Sequence, residues 1–155
     1  METWKALAEV ALVSTVVFNR RRGREAERML LVDYENHNRN PLASKDVADS
    51  LSDTEKVICQ LMSRVEIRGK RGRKVPVILT PQTKKAIDVL NSSRADVGVL
   101  ASNTYVFATP TAETPVRSSD CLRTLASQCG AKYPANLTST RVRTRVHFCR
   151  TWTWT

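Results

Sequence analysis

The sequence predicts an α+β fold, mainly helical, with one small antiparallel hairpin, and three observations carry that reading. Apolar residues recur at helical spacing between Trp4 and Phe18 and again between Val47 and Met62. Val65 and Ile67, then Val75, Val77 and Leu79, alternate with other residues on either side of a turn that holds Gly69 and Gly72. Immediately after that hairpin, Thr80-Pro81 supplies a helix N-cap and a first helical residue whose missing N–H costs nothing there.

Taken in order, Trp4, Leu7, Ala8, Ala11 and the run Thr15–Phe18 define a first helix. Glu25–Tyr34 starts helical and is expected to turn into a short strand at Met29–Val32, and His37–Pro41, interleaved with Asn36, Asn38 and Asn40, is a loop. Lys45–Arg64 is the clearest helix, with Val47, Leu51, Val57, Ile58, Leu61 and Met62 forming its apolar side. Ser52 followed by Glu55 is a capping-box pattern and places a break near Ser52. In the hairpin, Pro76 cannot donate to a ladder, which puts the second strand at a sheet edge. The Thr80-Pro81 helix runs through Leu90, and Tyr105-Val106-Phe107 is a short buried stretch with Tyr105 in the core. Ser119-Asp120 opens another helix, with Leu122, Leu125, Ala126 and Cys129 on one side and Gly130 to end it. Tyr133 falls in a loop, and Leu137-Thr138-Ser139-Thr140 caps a last helix that carries Arg143. There is no internal repeat and no linker, so residues 1–146 are expected to form one domain. The stretch 147–155 is a tail whose Trp152-Thr153-Trp154-Thr155 reads as a non-native ending rather than as a base-stacking element.

Composition narrows the function. With 25 Lys+Arg against 15 Asp+Glu, the 155 residues carry a net charge of +10, and the pI is about 10.0. The 41% hydrophobic content suits a packed core and excludes a disordered chain. The apolar run Val10–Phe18 is broken by Ser14 and Thr15 and is shorter than the roughly 20 residues of a membrane span, so no membrane partner is expected. Met1-Glu2-Thr3-Trp4 has no secretory character, and the glycosylation patterns at Asn91 and Asn136 are therefore noise. Cys59, Cys121, Cys129 and Cys149 show no CxxC and no Cys/His ligand spacing. They read as reduced thiols, mostly in helices, and neither a metal nor another cofactor is expected.

The positive charge is clustered rather than scattered. Arg20-Arg21-Arg22-Gly23-Arg24, Lys70-Arg71-Gly72-Arg73-Lys74 and Arg141-Val142-Arg143-Thr144-Arg145 each sit at the edge of a folded element. Three such clusters on one face would suit a polyanion, with nucleic acid as the expected partner. Arginine forks recognise phosphate with paired charge-assisted hydrogen bonds, and a lysine on a hairpin turn can reach a leaving oxygen as a proton donor.

An arginine, a hairpin lysine and a second arginine, in that order, resemble the catalytic domain of the tyrosine recombinases, the phage-integrase-like family that breaks and rejoins DNA. The likeness runs from about Trp4 to Arg145 and is nearest to the Crypton-type recombinases and the animal proteins derived from them. Phe18-Asn19-Arg20-Arg21-Arg22-Gly23-Arg24-Glu25 is similar to the first arginine box, which makes Arg22 the first catalytic arginine and Glu25 its structural partner. Ile67-Arg68-Gly69-Lys70-Arg71-Gly72-Arg73-Lys74-Val75-Pro76-Val77 resembles the family's β-hairpin and makes Lys70 the general acid. Leu137–Arg143 resembles the start of the second box, with Arg143 as the second catalytic arginine. Around them, Arg20, Arg21, Arg68, Arg71, Arg73, Lys74, Arg141 and Arg145 are expected to hold DNA phosphates.

The sequence departs from the family at two points. Thr140 stands where the second box has histidine, with His147 lying beyond the arginine, and Tyr34, Tyr105 and Tyr133 all precede Arg143, where the nucleophilic tyrosine should follow it. The resemblance therefore implies a C-terminally truncated, nuclear, double-stranded-DNA-binding relative of a transposon-encoded recombinase, unable to cut alone. A partner chain, or a second copy, supplying the tyrosine is the other form of this reading. A basic nuclear adaptor or RNA-binding module without recombinase chemistry is the alternative.

Overall fold

The computed structural model of the protein describes residues 1–36, 49 and 51–144, with Lys70, Arg143 and Thr144 described by their backbone alone. The expected loop His37–Pro41, the first turns of the Lys45–Arg64 helix and the tail 147–155 lie outside the described residues. Helices α1 (Glu2–Asn19), α2 (Gly23–Glu27), α3 (Leu31–Glu35) and α4 (Asp53–Leu61) precede a two-stranded antiparallel ribbon, β1 (Ser63–Arg68) and β2 (Lys74–Leu79). Helices α5 (Pro81–Ser92), α6 (Ser118–Gln128) and α7 (Ser139–Thr144) follow. The architecture is α+β and mainly helical, as the sequence predicts.

Helix α1 is the centre of the packing. Trp4, Ala8, Ala11, Leu12, Thr15 and Val16 recur every three or four residues and are all buried. They pack against α5, α6 and β2, where Ile87, Leu90, Leu122, Val77 and Leu79 complete one core. Each fully buried Leu or Val there contributes about 1.5–3 kcal/mol. The two polar groups on this face are satisfied: Thr15 Oγ1 donates to Ala11 O at 2.8 Å, and Trp4 Nε1 donates to Leu90 O at 3.1 Å. Among the described residues, no helix is long and apolar enough to cross a membrane.

The hairpin register pairs Val65 with Val77 and Ile67 with Val75, so the apolar residues of both strands share the core face. Thr80 Oγ1 accepts the Thr83 N–H at 3.2 Å and caps α5 ahead of Pro81. Thr138 Oγ1 accepts the Arg141 N–H at 3.3 Å and caps α7 in the same way.

Two expectations need correction. Met29–Val32 forms no strand: Met29 is buried, Leu30 makes a single bridge to Tyr105, and the chain turns helical again at Leu31. Only Thr104–Val106 lies opposite, with Leu31 N donating to Thr104 O and Val106 N to Met29 O at 2.9 Å each, so there is no ladder to extend. The helix read over Lys45–Arg64 breaks at Ser52, where the capping-box pattern puts a break. Ser52 is extended (φ −65°, ψ 160°), its backbone N–H donates to Glu55 at 2.9 Å, and its hydroxyl accepts the Glu55 N–H, so α4 starts there. The Ser52 hydroxyl, which donates to Glu55 Oε2 at 2.7 Å, and then the Ser52 N–H hold the Glu55 carboxyl below its ordinary range. Finally, α4 buries none of its residues, and Val57, Ile58 and Leu61 are exposed rather than in the core.

Cys121 is in the core between α6 and α1. Burial, followed by the negative charges of Glu9 and Asp120, pushes its thiol up from 9.0 to about 12. A rise of three units leaves about a thousandfold less thiolate, so a thiol reagent near pH 8 is expected to label exposed Cys129 far faster than Cys121. Equal labelling of the folded protein would contradict this placement. Because the fold favours the neutral thiol, the stability linked to Cys121 is complete below about pH 9 and is lost as pH rises toward about 12.

Candidate nucleic-acid interface

The first basic cluster is a tight turn between α1 and α2. Arg20 ends α1 in the left-handed conformation (φ 50°), its N–H donating to Val17 O, and Arg22 is the extended residue that opens α2. Asn19 fixes this turn in place. Its Nδ2 donates to Thr15 O (2.9 Å) and to Ile78 O (2.8 Å), and its Oδ1 accepts the Ile78 N–H (2.7 Å). One side chain thereby binds both backbone groups of a β2 residue and docks the arginine turn against the hairpin.

The second cluster is the hairpin tip. Gly69 N donates to Arg73 O at 2.8 Å and Gly72 N to Gly69 O at 3.2 Å, closing a loop in which Lys70, Arg71 and Gly72 make one tight helical turn. A Cβ on Gly69 would lie 2.4 Å from Val75 Cγ2, so the close return of the strand requires glycine. Arg71 is left-handed (φ 61°), and it and Arg20 are the only non-glycine residues with positive φ among those described.

These two turns face each other across an open groove of about 700 Å³, lined by Arg20, Arg21, Arg22, Arg71 and Arg73, with Asn19, Glu25 and Val75. Glu25 is its one carboxylate among the described residues, and it pairs with Arg22 at 3.6 Å. Arg20, Arg21, Arg71 and Arg73 have no carboxylate within ion-pair distance among the described residues. Four unpaired guanidinium groups around one hollow repel each other unless an anion joins them.

Arg22 also borders a second groove of about 790 Å³, formed with α6 and α7. At its base α2 packs very closely: a Cβ on Gly23 would lie 2.1 Å from Ser118 Oγ and 3.6 Å from Ser139 Cβ. Ser118 cannot yield freely, because its N–H and hydroxyl both donate to Glu27 Oε2 at 2.9 Å, which caps α6 from α2. This places the start of α7, the helix that carries Arg143, beside Arg22, and Thr140 lines the same groove. Tyr105, expected in the core, is half-buried and lines it too.

The other expected contacts lie elsewhere. Lys74 pairs with Glu66 at 3.2 Å, and Glu66 also takes Arg64 at 3.0 Å, on the outward face of the ribbon. Arg68 is exposed and paired in register with Lys74, away from the core-facing Ile67 and Val75. Arg141 bonds Asn136 and lines a separate small hollow with Lys132, Tyr133 and Leu137. Arg145 is outside the described residues. Among the described residues no group of carboxylates, histidines and cysteines could hold a metal ion.

Sequence reasoning missed Asn19, Gly23, the Glu27–Ser118 cap and the pair, buried Asn103 and half-buried Arg94, that shapes the loop after α5. In that loop Asn103 Nδ2 donates toward the carbonyls of Ala112 (2.7 Å), Thr114 (3.1 Å) and Thr109 (3.2 Å), and its Oδ1 accepts the Tyr105 N–H at 3.1 Å. Arg94 adds Nη1 to Tyr105 O (2.8 Å) and Nη2 to Asn103 O (2.5 Å), with burial lowering its pKa from the ordinary arginine value.

The fold is that of part of a tyrosine-recombinase catalytic domain. Two solved structures carry the likeness. One is the XerH site-specific recombinase bound to its difH substrate in a pre-cleavage complex, with a TM-score of 0.62 and 12% identity. The other is XerH on a palindromic difH substrate after cleavage, with a TM-score of 0.58 and 14% identity. The matches cover 94% and 93% of this chain but 36% and 35% of those chains, so it spans about a third of their length. No protein-family model and no curated protein matches the chain.

Proposed function

We propose that this chain binds double-stranded DNA through its phosphate backbone, as a recombinase-related domain of the Crypton-type lineage acting in the nucleus. The observation that carries this is the groove between the arginine turn and the hairpin tip, where Arg20, Arg21, Arg71 and Arg73 lie beside Arg22 with no carboxylate in ion-pair distance among the described residues. Likeness of fold to a recombinase held on its substrate supports the same partner. Arg22, Lys70 and Arg143 are the residues proposed to surround a scissile phosphate, the two arginines neutralising its oxygens and Lys70 protonating the leaving oxygen.

The covalent step is not proposed for this chain alone. The family's nucleophile follows the second arginine, whereas Tyr34, Tyr105 and Tyr133 precede Arg143. Tyr34 is buried and donates to Asp88 at 2.6 Å, and Tyr133 lies in the separate hollow beside Arg141. A tyrosine from a second chain would complete the site.

Two measurements test this reading. Binding to a duplex is expected to weaken steeply with salt, with a log–log slope of about −0.9 for each phosphate neutralised. A flat response, or no duplex binding at low salt, overturns it. A nicked suicide substrate is expected to yield no covalent protein–DNA adduct with this chain by itself. If an adduct forms, the claim of incompleteness is wrong, and Tyr105→Phe is the first variant to examine.

A further inference from the structure

We propose that the second groove continues the phosphate track past Arg22, with Arg24, Arg28 and Arg117 holding the DNA backbone on the side of Arg22 away from the hairpin. This inference rests on the DNA-binding reading above and extends its footprint to Arg28 and Arg117, which lie outside the basic clusters, and to Arg24 at the end of the first one.

Arg24 and Arg28 come from the turn and end of α2, and Arg117 is the residue that opens α6, yet all three line one groove with Arg22. All three are exposed, and none has a carboxylate within ion-pair distance among the described residues. The groove's four arginines, Arg22 included, outnumber its two acids, Glu27 and Glu113, so it stays net positive. Glu27 is held by the N–H and hydroxyl of Ser118, and neither acid lies within ion-pair distance of an arginine among the described residues. Arg24 and Arg28 stand four residues apart, a like-charge spacing that slightly destabilises the empty protein.

The position of the groove identifies the ligand. Arg22 lines both grooves, so the unpaired arginines of the hairpin side and those of the α6 side flank one shared residue. A small anion would occupy one groove. A strip of separate cationic sites on both sides of a central arginine matches the repeated charges of a nucleic-acid strand. The arginines are held by different parts of the fold: Gly23 seats α2 on α6, and the Glu27–Ser118 cap fixes the residue next to Arg117.

The test is duplex binding by fluorescence anisotropy over a salt series, comparing wild type with R24A/R28A/R117A and R24K/R28K/R117K. The alanine variant is expected to lose about 2.7 from the log–log slope, and the lysine variant to keep the wild-type slope, since lysine releases the same counterions. Should the triple alanine variant fail to fold, R117A alone is expected to lose about 0.9. An unchanged slope in a folded alanine variant, with wild type still binding, overturns this inference and leaves the hairpin-side groove as the DNA site. Equal loss in the alanine and lysine variants also overturns it, since the arginines would then be structural. Absence of duplex binding by wild type removes the DNA reading itself.

Discussion

Replacing Arg20, Arg21, Arg71 and Arg73 together by alanine is expected to weaken duplex binding at low salt by at least about a hundredfold. The log–log salt slope should fall by about 3.6. Among the described residues the four side chains line one groove without a carboxylate partner of their own, so their removal breaks no ion pair there. The fold should therefore survive, and thermal melting should report no large loss. Arg20 and Arg71 allow an internal control, because both adopt left-handed backbone (φ 50° and 61°). Glycine there removes the same charge while relieving roughly 1 kcal/mol of backbone cost at each position. Alanine and glycine versions must then lose affinity alike despite different stabilities. Binding that followed stability instead of charge would refute a phosphate role for this groove.

Asn103→Ala is expected to be the most damaging single substitution, costing about 3 kcal/mol or more and lowering the melting temperature by about 10 °C. Asn103 is fully buried, and its amide serves the carbonyls of Thr109, Ala112 and Thr114 while accepting the Tyr105 N–H. Alanine leaves these groups inside the protein with no substitute partner. The consequence is functional as well, because this loop leads directly to Arg117 and presents Tyr105 to the second groove. A parallel loss of salt slope in the folded fraction would show that the loop positions Arg117. A cost below about 1 kcal/mol, measured by denaturant titration, would mean that the carbonyls are held by something other than Asn103.

What could be read from the sequence was local. Ser52 with Glu55, Thr80 with Pro81, and the alternating hairpin each depend on residues a few positions apart, and all three have the geometry their spacing implies. The arginine turn and the hairpin tip were visible as charge clusters for the same reason. The bonds that bring those clusters together were not visible. Asn19 reaches a strand 59 residues later, and Glu27 caps a helix 91 residues later, so neither leaves a periodic trace. Local pattern also misled where tertiary context ruled. Met29–Val32 has the composition of a strand but only one residue opposite it to bridge, and Val57, Ile58 and Leu61 form an apolar stripe that is exposed among the described residues. The third cluster was grouped with the others by composition, yet Arg141 turns toward Asn136 and its own hollow.

Asn19 has one more consequence, which concerns what the ribbon does not do. A two-stranded ribbon leaves the outer edge of each strand open, and an open edge is a template for another chain. Along the outer edge of β2, donors alternate, so they belong to Lys74, position 76 and Ile78. Position 76 is proline and has no donor, and the Ile78 donor is already taken by Asn19 at 2.7 Å. The side chain that seats the arginines thus also occupies the strand edge beside them, which disfavours strand-to-strand pairing next to a basic surface.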